Sequence, residues 1–455
     1  MVNRLSLLSL QECQSARQAR DARFDGRFYI AVKTTGIFCR PICPANLPKE
    51  ENVEYFFEKA QALQAGYRPC LRCRPDSALS SWAWKGVETT FLRAAQMIEQ
   101  GELQRVTLCE LSERLGISDR YLRQLFHDHL GMSPKQYALA HQLMFAKQLL
   151  HVSSMPITDI AFSSGFNSVR RFNDAFKKVM SLTPTQVRKN HNYRVGEVNH
   201  IDLMFKGPLD WQYMLDFYRR RAIDGLESVD QNSYQRQFTL HGSNGWFRAR
   251  CLKSNVMRVE FELSDIRCLK ALVTHLRRLF DLDSNIEIIE QKLRSVSRDL
   301  VQRRGIRIPG VWDPWEAGVR AILGQQVSVK AAIGHLNLLV KTLQPYKISH
   351  FPTPKELAMA DLSFLRMPQS RKETLSRFAQ FIDQQPQADW SQWLEVKGIG
   401  PWTVNYAKLR GASEPNCFLD GDLVVKKALN QFPTLNAQSA SPWGSYATFH
   451  CWSQV

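Results

Sequence analysis

The chain has 455 residues, enough for three or four domains that each bury a core of their own. Its 60 Lys and Arg against 43 Asp and Glu give a formal charge of +17 and a pI of about 9.5, which points to a polyanionic partner such as nucleic acid. No run of about 18 apolar residues occurs, and the Leu5 to Leu10 patch yields too soon to polar residues for a signal peptide, so no membrane partner is expected. A basic chain without a leader is expected in the cytoplasm, associated with the bacterial nucleoid, where clustered cysteines bind metal and do not form disulfides.

Residues 1–80 form the first expected domain. They carry Cys39-x3-Cys43 and Cys70-x2-Cys73, a spacing that makes a tetrahedral zinc site. The other six cysteines, Cys13, Cys109, Cys251, Cys268, Cys417 and Cys451, are dispersed and read as buried residues of the ordinary kind. Four bare cysteines alone fit a zinc ribbon that merely folds its domain. The flanks decide otherwise: Phe24-Asp-Gly-Arg-Phe-Tyr29, Thr34-Thr-Gly-Ile-Phe-Cys39-Arg-Pro-Ile-Cys43 and Gly66-Tyr-Arg-Pro-Cys70-Leu-Arg-Cys73-Arg-Pro-Asp76 resemble the amino-terminal repair domain of the Ada family. That resemblance implies Cys39 as acceptor of a methyl group from a methylated DNA phosphate, Cys43, Cys70 and Cys73 as the companion zinc ligands, and Thr35 and Arg68 as contacts to the DNA backbone. Asn46 stands where the family carries an arginine. Zinc keeps bound sulfur as thiolate, the form that attacks carbon. Four thiolates around Zn²⁺ carry −2, and methylating one leaves −1, so methylation should tighten DNA binding and act as a damage switch.

A Trp82, Trp84 segment leads to residues 85–190. Leu108, Leu111 and Leu115 have helical spacing, Gly116 suits a turn and Ser118 a helix N-cap, the pattern of a helix-turn-helix. The next helix is expected to show Arg120, Arg123, Gln124 and His127 outward and to bury Leu122, Leu125 and Phe126. The pattern recurs at Ile157 to Asn167, with Arg170, Arg171, Asn173 and Lys177 on the following helix, and Gly131-Met-Ser-Pro134 is echoed by Ser181-Leu-Thr-Pro184. Two such units joined by a long helix, Gln136 to His151, resemble the AraC-type transcription-factor domain, which enters successive major grooves.

Residues 195–300 alternate Met257, Val259, Phe261 and Leu263 with Arg258, Glu260 and Glu262, as in a strand with one buried face, between helical stretches. By themselves they give an α+β scaffold without visible chemistry. Residues 301–455 turn helical and contain Val396-Lys-Gly398-Ile-Gly400-Pro-Trp402-Thr403, where two glycines let backbone amides approach a phosphate at a helix start. Phe418-Leu-Asp420-Gly-Asp422-Leu423 then carries carboxylates into another helix. This pair resembles the helix-hairpin-helix DNA glycosylases, and Ile308 to Ser328, Arg278 to Asp283 and Ser441 to Tyr446 extend the likeness to AlkA-type 3-methyladenine glycosylases, whose amino-terminal sheet domain would be residues 195–300. The likeness implies Asp422 as catalytic carboxylate, with Asp420 the better candidate for capping or turning. It implies Trp402, Tyr406 and Trp452 as base-pocket aromatics, Gly398 and Gly400 as the DNA-gripping hairpin, and Gln326 at the position of an intercalating wedge that is apolar in the family. Trp402 also occupies the place of the lysine nucleophile of bifunctional relatives, so no lyase step is expected.

The Pro-Cys-His-Arg signature of an O6-methylguanine methyltransferase does not occur. The expected fold is therefore multidomain and mainly α with α+β parts: a zinc domain, a double helix-turn-helix, a sheet domain and an all-α glycosylase domain. The expected partners are alkylated and promoter double-stranded DNA and RNA polymerase, with the chain a monomer and zinc its cofactor. Two other functions fit the same motifs, a transcription regulator without turnover and a glycosylase whose helix-turn-helix is only a tether.

Overall fold

The computed structural model describes residues 8–57, 59–70, 73, 75, 87–99, 101–153, 155–188, 198–253, 255–346 and 348–454. Leu71, Arg72, Arg74 and Asp76 of the cysteine motif and the Trp82, Trp84 segment lie outside the described residues. The chain divides into two compact units, Met1–Val195 and Gly196–Val455. Among the described residues no helix is long and apolar enough to cross a membrane.

The first unit opens with helix Leu10–Ala19 and a four-stranded sheet of β1 (Tyr29–Val32), β2 (Ile37–Cys39), β3 (Val53–Phe56) and β4 (Arg68–Pro69), in the order β3-β1-β2-β4. Alternation splits its apolar residues between two faces: Phe28 and Ile30 pack with Phe24 and Val53, while Tyr29, Ala31 and Phe38 pack with Ala62. β2 and β4 run parallel, with Ile37 opposite Arg68 and Phe38 opposite Pro69. The next register step sets Cys39 beside Cys70.

The helix-turn-helix repeat is visible in the caps. Helix Leu108–Arg114 starts at the Thr107–Glu110 capping box, and helix Asp119–Leu130 starts at Ser118, whose hydroxyl accepts from the Tyr121 amide at 3.2 Å. Leu122, Leu125 and Phe126 are buried, and Arg120, Arg123, Gln124 and His127 are exposed. The linking helix runs Pro134–Val152, slightly longer than the sequence pattern marks, because the Ser133–Gln136 box and Pro134 open its first turn. The second copy follows as Ile157–Ser163 and Val169–Met180, capped by Ser168. Its turn residue Gly165 has φ +86°, and a Cβ there would sit 2.3 Å from the side chain of Gln104, so the turn Glu102–Gln104 that leads into the first copy packs directly against the turn of the second.

The second unit holds a five-stranded antiparallel sheet, β5 (His200–Met204), β6 (Glu227–Val229), β7 (Ser233–Leu240), β8 (Ser243–Lys253) and β9 (Val256–Leu263), ordered β5-β9-β8-β7-β6. Met257, Val259 and Phe261 are buried as the alternation requires. Helices follow from Pro314 onward, around helix Pro314–Leu323, which is buried from Trp315 to its end. Arg236 on β7 bonds Glu227 at 2.8 Å and pairs with Glu316 of that helix, while Arg320 bonds Glu227 and Glu316 at 2.8 and 2.9 Å. Two guanidiniums and two carboxylates thus pair with one another in the core. Burial opposes ionisation of Glu227, yet Arg320 and Arg236 hold its carboxyl down at about 2.

Candidate active sites

The cysteine cluster is built by three short elements. Cys39 ends β2, Cys43 follows a turn whose amide bonds the Arg40 carbonyl at 3.1 Å, and Cys70 donates its amide to Phe38 at 2.9 Å. The ligand atoms of Cys39, Cys43, Cys70 and Cys73 all lie within 4.8 Å of one another, and Cys43 Sγ is 4.0 Å from Cys70 Sγ. A tetrahedral thiolate site with bonds of about 2.3 Å has edges of about 3.8 Å, so the donor set fits zinc. Without a cation such crowding disfavours ionisation: hydrogen bonding with Cys73 and burial push the Cys39 thiol well above its usual range. Arg40 orients the cluster, donating its amide to Cys73 Sγ at 3.3 Å while its guanidinium pairs with Asp25.

Cys43, Cys70 and Cys73 are each 8% exposed, whereas Cys39 is only half-buried. Cys39 borders a cleft of about 490 Å³ shared with Thr35, Arg68 and Asn46. Thr35 lies on the turn between β1 and β2 and Arg68 on β4, both exposed. Of the six dispersed cysteines Cys13, Cys268, Cys417 and Cys451 are buried as expected, but Cys109 is exposed and Cys251 half-buried. Cys109 fails the expectation because it sits on the outward face of a short helix, where Leu108 and Leu111 take the buried positions.

In the second unit Asp422, Trp402, Tyr406 and Trp452 come together along one cleft of about 320 Å³. Trp402 and Tyr406 project one turn apart from helix Pro401–Gly411, their rings stacked at 5.4 Å and 25°. Trp452, on helix Gly444–Trp452, stacks on Phe217 at 6.1 Å and donates its indole N–H to Asp422 Oδ1 at 3.1 Å. Asp422 itself caps helix Leu423–Leu429, its Oδ1 accepting from Val424 and Val425 amides at 2.9 and 3.2 Å. A capping or turn role was expected of Asp420, and the structure gives it the turn and not the cap. That residue is an exposed turn position two steps too early to reach the helix amides. Oδ2 of Asp422 has no hydrogen bond among the described residues, so one carboxylate oxygen is anchored and the other is available to the cleft.

The glycine hairpin precedes these aromatics. Gly398 has φ +97°, and a Cβ there would meet Thr374 Oγ1 at 2.0 Å; Gly400 caps helix Pro401–Gly411 with open space around it. Gln326 is exposed at the turn between helices Pro314–Leu323 and Val329–Leu343 and takes φ +56°. Its neighbour Gln325 donates to the Gly398 carbonyl and to Thr403 Oγ1, both at 3.2 Å, tying that turn to the hairpin.

Sequence reasoning missed the cations. Arg220, Arg221 and Arg320 line the same cleft, so the stretch 195–300, which showed no chemistry, contributes directly to it. The signals available were the run Arg219-Arg220-Arg221 and the i,i+4 spacing of Glu316 and Arg320. Burial works to raise the Tyr406 phenol, but Arg410, whose guanidinium bonds its oxygen at 3.0 Å, together with Arg221 and Arg320 holds it below its ordinary value.

Comparison with known proteins follows the same division. Family models match residues 12–76 (metal binding domain of Ada), 111–190 (helix-turn-helix domain) and 200–313 (AlkA N-terminal domain). With the convergent thiols, the first match assigns zinc as the protein's cofactor. The chain is 32% identical over 276 residues to DNA-3-methyladenine glycosylase 2 of Escherichia coli, spanning 55% of this chain and 95% of that one. It is 36% identical over 184 residues to the regulatory protein ada of Salmonella typhimurium, spanning 40% of this chain and 50% of that one. Similarity to the probable bifunctional transcriptional activator/DNA repair enzyme AlkA of Mycobacterium tuberculosis runs over 479 residues at 33% identity, spanning 98% of this chain and 96% of that one. The chain belongs to this family of bifunctional transcriptional activator/DNA repair proteins.

Proposed function

We propose that the protein repairs alkylated DNA by two separate chemistries and activates transcription once one of them has occurred. Residues 1–80, 85–190, 195–300 and 301–455 serve as methyl acceptor, promoter reader, sheet scaffold and glycosylase. The observation that carries the reading is the shared cleft of Asp422 with Trp402, Tyr406 and Trp452.

A damaged base such as 3-methyladenine, extruded from the duplex, stacks against these aromatics. As the C1′–N bond breaks, its electron pair leaves with the base and positive charge grows on the sugar. The free oxygen of Asp422 stabilises that charge and accepts the proton of the attacking water. Trp402 offers no amine, so the reaction ends at hydrolysis. Amides at Gly398 and Gly400 grip a phosphate, and Gln326 enters the duplex at the extruded site.

In the first unit Cys39, Cys43, Cys70 and Cys73 hold the zinc, which when bound keeps their sulfurs deprotonated at neutral pH. The half-buried Cys39 sulfur attacks the methyl carbon of a methylphosphotriester; the carbon–oxygen bond breaks with its electron pair on the phosphate, and a thioether remains. Thr35 and Arg68 hold the neighbouring backbone. Loss of one negative charge strengthens binding of Arg120, Arg123, Gln124, Arg170 and Arg171 to promoter DNA, where RNA polymerase is engaged by a monomer. Arg123 must first leave Asp119, which it meets at 3.0 Å.

The test is incubation with DNA bearing labelled methyl groups, separating label freed as base from label fixed on protein. Label in both fractions is expected. Label in neither would leave a regulator without turnover.

A further inference from the structure

Strands β1, β2 and β4 supply part of the lining of the Cys39 cleft, through Ile30, Ile37 and Arg68; residues 45–48 supply another wall. Those four residues have no regular secondary structure, and among the described residues none of their backbone groups bonds another backbone group. Helix Leu10–Ala19 holds them instead. Arg17 donates Nη1 to the Pro48 carbonyl at 3.1 Å, and Arg20, the C-cap of the helix, donates Nη2 to the Ala45 carbonyl at 2.7 Å, so both ends of the wall are pinned. Arg17 is itself fixed. It is 3% exposed, its Nε donates to the Tyr55 hydroxyl of β3 at 3.1 Å, and its third nitrogen pairs with Glu50, which accepts from Tyr55 at 2.7 Å. Cys13 and Ala16 seat the same helix in the core with Phe28, Ile30 and Val53. Each guanidinium nitrogen of Arg17 thus has a protein partner, which makes it a brace of the cleft. The Ala45 peptide links this brace to the thiols, its amide donating to the Cys43 sulfur while its carbonyl takes Arg20.

A basic segment can be drawn into place by the phosphates it meets, but Ala45, Asn46, Leu47 and Pro48 carry no charge. Their position has to exist before DNA arrives. In-line attack of sulfur on carbon demands reacting atoms about 3–3.5 Å apart, and a misplacement of about 1 Å costs on the order of 100-fold in rate. We propose that Arg17 and Arg20 are positioning residues for methyl transfer, holding residues 45–48 as a preformed wall that sets the methylated phosphate in line with Cys39. The transfer keeps its balance: the sulfur–carbon bond forms as the carbon–oxygen bond breaks, and the electron pair stays on the phosphate. This rests on the methyl-acceptor reading above.

The experiment uses the full-length zinc-loaded protein and two methyl donors, duplex DNA carrying a labelled methylphosphotriester and labelled methyl iodide, a small molecule that reaches the sulfur without help from the wall. Single-turnover labelling is measured for wild type, Arg17→Lys, Arg20→Ala and Arg20→Lys. Lysine at position 17 puts one ammonium where a planar fork served three acceptors. At saturating DNA, labelling is expected to fall about 100-fold in Arg17→Lys and about 10-fold in Arg20→Ala, and to recover in Arg20→Lys. The fall should lie in the rate of the bound complex and not in the half-saturating DNA concentration, with zinc content and the methyl iodide rate unchanged. Arg20→Ala decides alone if Arg17→Lys does not retain zinc. Equal falls with both donors in Arg20→Ala would make the brace merely structural, and DNA labelling at the wild-type rate in that variant would overturn the proposal. A wild type labelled by methyl iodide but not by DNA would sink the methyl-acceptor reading itself.

Discussion

The two candidate sites differ in how much chain is needed to build them. The thiol cluster closes between Cys39 and Cys73, through one parallel strand pair and one turn. The base cleft gathers Arg221 from the sheet half, Trp402 and Asp422 from separate helices, and Trp452 from the last one. The difference suits the tasks proposed for them. A sulfur that ends as a thioether acts once and has no product to release, so an open cleft beside a half-buried cysteine suffices. A carboxylate that is not consumed must be kept in register with a base that enters and leaves, and walls from distant segments supply that rigidity.

Breaking each centre separately is the sharpest way to test that contrast. Cys39→Ala should abolish protein labelling completely and leave base release intact, and a zinc chelator should remove the same fraction. Asp422→Asn keeps an oxygen to cap Leu423–Leu429 but loses the charge; base release should fall on the order of 10³-fold with labelling unchanged. Gly398→Ala forces a side chain into φ +97° and against Thr374, which should cost the second unit about 2–4 kcal/mol in urea denaturation and weaken its grip on DNA.

Acid should also separate the two units. His450 is fully buried in helix Gly444–Trp452, with neither ring nitrogen hydrogen-bonded, and burial, followed by the nearby charge of Arg294, lowers it to about 3. The unfolded chain binds this proton below about 6.5 and the folded one does not, so stability is complete above that value and is lost as pH falls toward 3. Thermal melts of the second unit should therefore weaken by about 1.4 kcal/mol per pH unit across that window for this residue, and His450→Leu should flatten the slope. The smallest effect is expected from Arg171→Ala, which should lower the salt dependence of promoter binding by about 1 in log–log slope and spare both chemistries.

Legibility in the sequence tracked the range over which each feature is built. The cysteine spacings, the turn glycines at 116 and 165 and the Ser118 cap are local, and the structure carries all of them in the expected elements. The helical repeat and the alternation of β9 are likewise short-range periodicities. Arg221 was missed because the run Arg219-Arg220-Arg221 alone reads as solvated surface, and nothing near it says that it will share a cleft with Trp452, some 230 positions later. The buried quartet of Arg236, Glu227, Glu316 and Arg320 was hidden for the same reason, since each charge alone reads as surface. The cap itself fell to Asp422 and the turn to Asp420, because capping occupies only one carboxylate oxygen of Asp422 and leaves the other free.

The contact of Gln104 with the turn at Gly165 has a consequence for the operator. Because the two halves of the promoter reader are packed and not merely tethered, helices Asp119–Leu130 and Val169–Met180 present themselves at one fixed spacing. A single base pair inserted between the two contacted grooves would rotate the second by about 35°, beyond what a packed joint can follow. Such a promoter should lose activation outright even with every contacted base intact, so the protein reads distance along the duplex as strictly as it reads sequence.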